Sequence, residues 1–148
     1  MKRIRRLAER TLSVLGFIDS ELSVTIVGDR SIRKLNRDYR GLDKPTNVLS
    51  FPMSEGDFPD LNPQLLGDVV ISADTAFREA QELGVPFFER LGFLLLHGIL
   101  HVTGYDHERS GEAEAKRMER KQRQLYKLLM GEGLLSDTAA NSNLLDTP

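Results

Sequence analysis

Three histidines, the only ones in the chain, lie within the segment HGILHVTGYDH as His97, His101 and His107. Residues four apart on an α-helix differ by about 40° beyond one full turn and rise by ~6 Å, so the first two imidazoles can converge on one ion. Gly104 can adopt the left-handed conformation that turns the chain back, which would bring His107 to the same point. The pattern therefore predicts a site in which three histidines bind one metal ion.

The number and type of the ligands indicate what such a site would do. Three protein ligands leave a fourth position for water, which is typical of catalytic rather than structural zinc sites. A bound ion lowers the pKa of this water towards neutrality and so supplies hydroxide at cellular pH. Neutral imidazoles favour Zn²⁺, and Ni²⁺ is also compatible with them. We therefore expect a metal-dependent hydrolase.

The residue after the first histidine separates this chain from a known class of enzyme. The spacing HxxxHxxGxxH resembles that of the metzincin peptidases, in which a glutamate follows the first histidine and acts as the general base. Here that position is Gly98, which has no proton-accepting group. Asp106 and Glu108 flank His107, and each is either a substitute base, a partner that orients an imidazole, or a solvent-facing loop charge.

Composition limits the class of protein. With 148 residues, 40% of them hydrophobic, the chain is long enough for one hydrophobic core. We expect a single catalytic domain over residues 1–133 and a loosely ordered tail over 134–148. The absence of cysteine excludes disulfides and thiolate metal sites and fits a cytoplasmic protein. Glu9 and Arg10 interrupt the apolar start before it resembles a signal peptide, and we expect no membrane association.

Charge is distributed unevenly along the chain. Residues 1–44 contain 11 Lys and Arg against 6 Asp and Glu, whereas the whole chain has a net charge of -2. A solvated helical face is one explanation. A basic module beside a metal site would also attract a polyanion such as RNA.

Periodicity predicts helices and strands around the histidines. The helix that carries His97 and His101, 86–104, is apolar almost all round and should be the buried central one. Ser72 should cap a helix closed by Gly84, Asp29 should cap another, and Ser110 should cap the last. Prolines at 45 and 52 favour an edge strand between them. The other predicted elements are a helix over 2–14, strands over 22–28, 47–52 and 65–72, and a loop over 53–63.

Three segments together resemble the YbeY family of bacterial endoribonucleases: LNRDYRGLDKPTNVLSFP, LGDVVIS and HGILHVTGYDH. The likeness covers roughly residues 21–130. It implies an α+β fold in which a small mixed sheet packs on helices around a metal-bearing central helix, with a zincin-like topology. It also implies a zinc-type site at the three histidines and cleavage of single-stranded RNA.

The resemblance further implies a cellular role and one more site residue. The role is maturation of ribosomal RNA, notably the 16S 3′ end, and ribosome quality control, with ribosomal or small-subunit proteins as partners and no DNA substrate. Arg40, in the motif DYRG, corresponds to the arginine that the family places near the metal, where a guanidinium can bind a phosphate in bidentate fashion. Family members usually have a strand before the first helix, whereas this chain shows three strand patterns.

Three functions from different classes remain compatible with the sequence. The first is a metal-dependent endoribonuclease. The second is a metallopeptidase-like hydrolase, against which Gly98 argues. The third is a non-catalytic ribosome assembly factor with a structural metal. The basic amino-terminal third supports the first and third equally.

Overall fold

A computed structural model describes residues 1–53, 64–105 and 111–136. The elements within these residues follow the predicted order. They are α1 (Lys2–Leu15), β1 (Glu21–Val27), α2 (Asp29–Arg40), β2 (Val48–Pro52), β3 (Leu65–Ser72), α3 (Ala73–Leu83), α4 (Phe87–Val102) and α5 (Gly111–Gly131). The predicted loop over 53–63 and the predicted cap Ser110 lie mostly or wholly outside the described residues.

The sheet is small and mixed, with strand order β1-β3-β2 among the described residues. The central strand β3 is parallel to β1 and antiparallel to β2, and Val69 is the register partner of both Val24 and Ser50. The prediction that the 47–52 strand lies at an edge is confirmed. Its last residue, Pro52, lacks an N–H, which an edge position tolerates.

Helices cover both faces of the sheet. Val69 and Ile71 of β3 belong to a large buried cluster with α1, α4 and α5, whereas Val70 packs with Ile32 of α2 and Leu49 of β2. Successive residues of a strand point to opposite faces, so α2 lies on one face and α4 on the other. The α+β architecture with a small mixed sheet is confirmed, and α4 is the buried central helix.

The predicted boundaries of α3 are confirmed. The Ser72 hydroxyl accepts a hydrogen bond from the backbone N–H of Thr75, and Gly84 ends the helix with φ 70°. A hydroxyl at the N-cap satisfies a backbone donor that has no partner within the helix. The left-handed conformation at the other end is one that glycine adopts without steric cost.

The predicted role of Asp29 as a helix cap is wrong. The N-cap of α2 is Gly28, and Asp29 is the first residue of the helix. Its backbone N–H donates to the Asp74 carboxylate at 2.9 Å, while its own carboxylate accepts from the hydroxyls of Ser72 and Thr75, at 2.6 Å each. The amino ends of α2 and α3 lie side by side, so each helix supplies a carboxylate to the other.

The packed part of the chain continues past the predicted boundary at residue 133. Leu135 is fully buried and contacts the position of Gly92 in α4, while Arg3 donates to the carbonyl oxygen of Ser136 at 3.2 Å. Three residues assigned to the tail therefore contribute to the core or to its edge. Residues 137–148 lie outside the described residues.

No single helix among the described residues is long and apolar enough to span a membrane. Helices α3 and α4 reach the length and apolar composition of a membrane span only in combination, and their axes differ by 117°.

Candidate metal centre

His97 and His101 lie one turn apart on α4, and their rings approach closely. The two Nε2 atoms are 3.2 Å apart, and the ring centroids are 4.8 Å apart. Two nitrogen ligands of a tetrahedral zinc ion, each at ~2.0–2.1 Å from the metal, lie about 3.3 Å from one another. The observed separation therefore fits two ligands of the same ion.

Gln122 of α5 determines which nitrogen of His97 carries the proton and which faces His101. Its side-chain Nε2 donates to the backbone carbonyl of Phe93 at 3.0 Å, and its Oε1 lies 3.1 Å from His97 Nδ1. A carbonyl oxygen only accepts hydrogen bonds, so the amide nitrogen must face Phe93 and the amide oxygen must face His97. His97 Nδ1 is therefore the donor, and the Nε2 of the neutral ring carries the lone pair.

This hydrogen-bond pattern has a consequence for the pair of imidazoles. Two unprotonated Nε2 atoms would direct lone pairs at each other across 3.2 Å, so a proton lies between them when no cation does. For a cation to bind both Nε2 atoms, His101 must carry its proton on Nδ1 instead, and then both rings are neutral and both Nε2 lone pairs face the cation. His97 and His101 could thus hold a metal with little rearrangement.

The third predicted ligand, His107, lies outside the described residues, as do Asp106 and Glu108. Within residues 1–53, 64–105 and 111–136, no group of three or more potential metal-binding side chains is found. The described structure therefore brings together two of the three predicted ligands, and the contribution of His107 stays a prediction.

Gly98 faces the sheet. A Cβ atom built at this position would lie 2.5 Å from Val69 Cγ1, and the Ser50 hydroxyl approaches the Gly98 carbonyl oxygen at 3.4 Å. A contact of 2.5 Å is shorter than van der Waals packing allows, so any side chain here would displace β3. The position that carries the base in metzincin peptidases is thus closed to a glutamate as well as lacking one.

Arg40 occupies the carboxyl end of α2, where its side chain is exposed. Because α2 and α4 cover opposite faces of the sheet, Arg40 belongs to a different layer from the histidines. The position of Arg40 at the metal, and its contact with phosphate, stay predictions.

Some cations of the basic amino-terminal third have partners within the fold. The Arg10 and Arg33 guanidinium groups pair with Glu132 and Asp43, each at 2.9 Å, and Arg3 stacks over the ring of Phe88 at 3.7 Å. Phe88 is nine residues before His97, or about 14 Å along the helix. Helix α1 therefore packs against the far end of α4, and much of its charge is used within the fold.

Comparisons with known proteins place the chain in a family. The family model described as endoribonuclease YbeY matches residues 1–130. The endoribonuclease YbeY of Geobacter sulfurreducens is 65% identical over 134 residues, which cover 90% of this chain and 89% of that protein. The chain belongs to the YbeY family of endoribonucleases. The YbeY protein of Aquifex aeolicus is 54% identical over 114 residues, which cover 77% of this chain and 74% of that protein.

A solved structure has the same fold. The solution structure of TM1509 from Thermotoga maritima matches with a TM-score of 0.63 and 30% identity, covering 88% of this chain and 81% of that one. YbeY proteins are endoribonucleases, which are hydrolases acting on RNA phosphodiester bonds, and the family is involved in rRNA maturation. RNA is thus the class of substrate that membership of the YbeY family implies.

Gln122 is the site residue that sequence reasoning missed, although one signal was present. The buried positions of α5 are Met118, Gln122, Leu125 and Leu129, which is the spacing of a single core-facing stripe. A glutamine in such a stripe must find buried hydrogen-bond partners. Those partners are 25 and 29 residues away, so the pattern of α5 alone could not identify them.

Proposed function

We propose that this chain is a metal-dependent endoribonuclease that cleaves single-stranded RNA, with one ion held by His97, His101 and His107. The observation that carries the proposal is the 3.2 Å approach of two Nε2 atoms, one of them kept unprotonated by Gln122. Zn²⁺ is the preferred ion because neutral imidazoles suit it, and Ni²⁺ is the second choice. With two of its three ligands on the central helix, the site would have the zincin-like arrangement.

The metal ion and individual residues would have separate roles in RNA cleavage. When bound, the ion supplies a Lewis acid that stabilises negative charge on the phosphoryl oxygens. Arg40 would bind the same phosphate through its guanidinium, with a strength that increases as charge accumulates during cleavage. Gln122 would hold the His97 ring in the orientation that the ion needs.

Family membership supports a particular cellular setting for this activity. We infer that the substrate is ribosomal RNA, notably the 3′ end of the 16S molecule, and that the enzyme acts in the cytoplasm in ribosome maturation and quality control. Ribosomal or small-subunit proteins would be its partners. DNA is not expected as a substrate, because the names of the relatives specify ribonuclease activity.

The deciding experiment is cleavage of matched single- and double-stranded RNAs by metal-loaded and chelated protein. Metal-dependent cleavage confined to the single strand is the expected result. Cleavage of casein that requires His97 would favour the peptidase alternative. Metal-binding protein that cuts neither RNA nor peptide would favour the assembly-factor alternative.

Arg40 gives the same experiment a second arm. Arg40→Ala should lower the single-turnover rate by about a hundredfold, while RNA binding weakens only modestly, because the contact matters most in the transition state. Arg37→Ala, one turn earlier on the same exposed end of α2, removes the same charge and is the control. Equal rates in the two variants would remove Arg40 from the site.

A further inference from the structure

A cleft of about 400 Å³ lies between the end of α4 and the middle of α5. Its lining contains an aromatic ring, three cations and an amide. These residues are Tyr105, Arg117, Arg120, Lys121 and Gln124. A concave surface with this composition is suited to a ligand that has both flat rings and negative charges.

Tyr105 and Arg117 form a stacked pair within the cleft. The Arg117 guanidinium carbon lies 4.3 Å from the centroid of the Tyr105 ring, and the guanidinium also pairs with the Glu114 carboxylate at 2.5 Å. Stacking of this kind is favourable in itself and orients both planar groups. Aromatic and guanidinium planes are the surfaces on which proteins stack the bases of single-stranded RNA.

The other two cations of the cleft, unlike Arg10 and Arg33 of the amino-terminal third, are not paired with a carboxylate among the described residues. Within the described part of the chain, neither Arg120 nor Lys121 has a carboxylate partner, and Lys121 contacts only the amide oxygen of Gln124, at 3.4 Å. Residues 111–127 contain six cations and three acids, and two of the acids, Glu112 and Glu114, pair with Lys116 and Arg117 rather than with the other cations of the cleft, Arg120 and Lys121. Phosphates are the ligands that such uncompensated charges attract.

The cleft lies beside the candidate metal centre. Tyr105 is four residues after His101, just past the end of α4, and Lys121 directly precedes Gln122, which contacts His97. The same two segments therefore carry both features.

We infer that this cleft binds a segment of the RNA substrate, with a base stacked on the Tyr105–Arg117 pair and a phosphate held by Arg120 and Lys121. The inference rests on the proposed function, since it concerns the same substrate. It assigns RNA affinity to α5, where the sequence had indicated the amino-terminal third.

The test is binding of a fluorescent twelve-nucleotide oligouridine to chelated protein, titrated at several salt concentrations. The variant R120Q/K121Q removes both phosphate-binding charges. The control R123Q/K127Q removes two charges from the same helix at positions that do not line the cleft. Because both variants have the same net charge, long-range attraction is matched and only the local contacts differ.

R120Q/K121Q should weaken binding at low salt by about tenfold and reduce the log–log salt slope by roughly one, since a single-strand phosphate contact accounts for ~0.7 of that slope. The control should change each quantity by less than half as much. Equal behaviour of the two double variants would overturn the inference while leaving cleavage by the wild type, and so the proposed function, intact.

Tyr105 provides an independent arm. Tyr105→Leu should weaken binding by about fivefold or more, because a stacked base is lost, whereas Tyr105→Phe should bind like the wild type. Identical losses in the Leu and Phe variants would contradict stacking. Wild-type protein that neither binds nor cleaves the oligonucleotide would overturn both this inference and the proposed function.

Discussion

Two faces of α4 differ in what holds them in place: one packs closely against the sheet, and the other makes side-chain hydrogen bonds. On one face, Gly98 lies so close to β3 that an added Cβ atom would meet Val69 at 2.5 Å. On another, His97 and His101 carry polar groups into a part-buried layer, where Gln122 provides a hydrogen-bond partner for His97. Packing on the first face depends on the missing side chain of Gly98. The arrangement of the second face depends on hydrogen bonds between side chains.

The comparison teaches how the histidines come to be aligned. Close packing at Gly98 fixes the distance between α4 and the sheet, because interiors this dense do not absorb an extra methyl group without movement. Gln122 then fixes the rotation and tautomer of one ring. Backbone packing on the glycine face thus positions the helix, and side-chain hydrogen bonding orients the ligands on it.

The largest effect should come from removing a histidine. His101→Ala leaves His97 without its neighbouring nitrogen, and loss of one of three protein ligands should lower zinc affinity by more than about a hundredfold. Elemental analysis after dialysis against buffered zinc measures this. The fold should persist, since His101 is not in the apolar cluster. A variant that retains the wild-type metal content would remove His101 from the site.

Substitution of Gln122 should have the next largest effect. Gln122→Met keeps the volume but removes the acceptor for His97 Nδ1–H, so the ring is free to adopt the other tautomer, and zinc affinity should fall by ~10–100-fold. Gln122→Glu is the control, because it also loses the donor to the Phe93 carbonyl but keeps an acceptor for the His97 proton. Long-range ¹H–¹⁵N spectra should show His97 protonated at Nδ1 in the wild type and the Glu variant, and at both positions in turn in the Met variant. Equal zinc affinities and spectra in all three proteins would show that Gln122 has no positioning role.

The histidine face and its surroundings were partly predictable from the sequence. A four-residue spacing on an apolar helix places His97 and His101 on one side wherever the helix packs, so local geometry alone determines that result. The ends of α3 were predictable for the same reason, since Ser72 and Gly84 act on their own helix. Asp29 was misinterpreted because its partners, Ser72 and Thr75, belong to another helix.

Other features that the sequence did not reveal also depend on contacts between distant segments. The sequence showed that the amino-terminal third is basic but not that Arg10 pairs with Glu132, which is 122 residues away. Gly98 was recognised as lacking a base, but its packing against Val69 depends on the register of β3. Periodicity indicates which side of a helix or strand is apolar, but it does not indicate which other element packs against that side.

The glycine face can be tested with a single methyl group. Gly98→Ala should destabilise the protein by about 1–3 kcal/mol through overpacking against Val69, despite the better helix propensity of alanine. Urea unfolding measures the change. Val69→Ala removes the two methyl groups nearest the new Cβ, so the double variant should be less destabilised than the sum of the two single variants. Gly131→Ala, at an α-helical glycine with nothing within 4 Å of the new Cβ, is the control. Additive effects at 98 and 69 would mean that the two positions are not in close contact.

The smallest expected effect concerns the hydrogen bond that joins α5 to α4 on the histidine side. The Tyr126 hydroxyl donates to Glu89 at 2.5 Å, and burial, together with this carboxylate, raises the pKa of Tyr126 to about 12. A phenol whose pKa is raised on folding contributes its full stabilisation below the unfolded value of ~10, and this contribution is lost as the pH rises towards 12. Tyr126→Phe should therefore lower the free energy of unfolding by about 1 kcal/mol at pH 8, and the stability of the variant should converge on that of the wild type between pH 10 and 12.

Ultraviolet titration provides the control, because one of the three tyrosines should ionise near pH 12 in the wild type and that step should be missing in the variant. If the stability difference between the two proteins stays constant up to pH 12, the ionisation of Tyr126 is not coupled to the packing of α5 against α4.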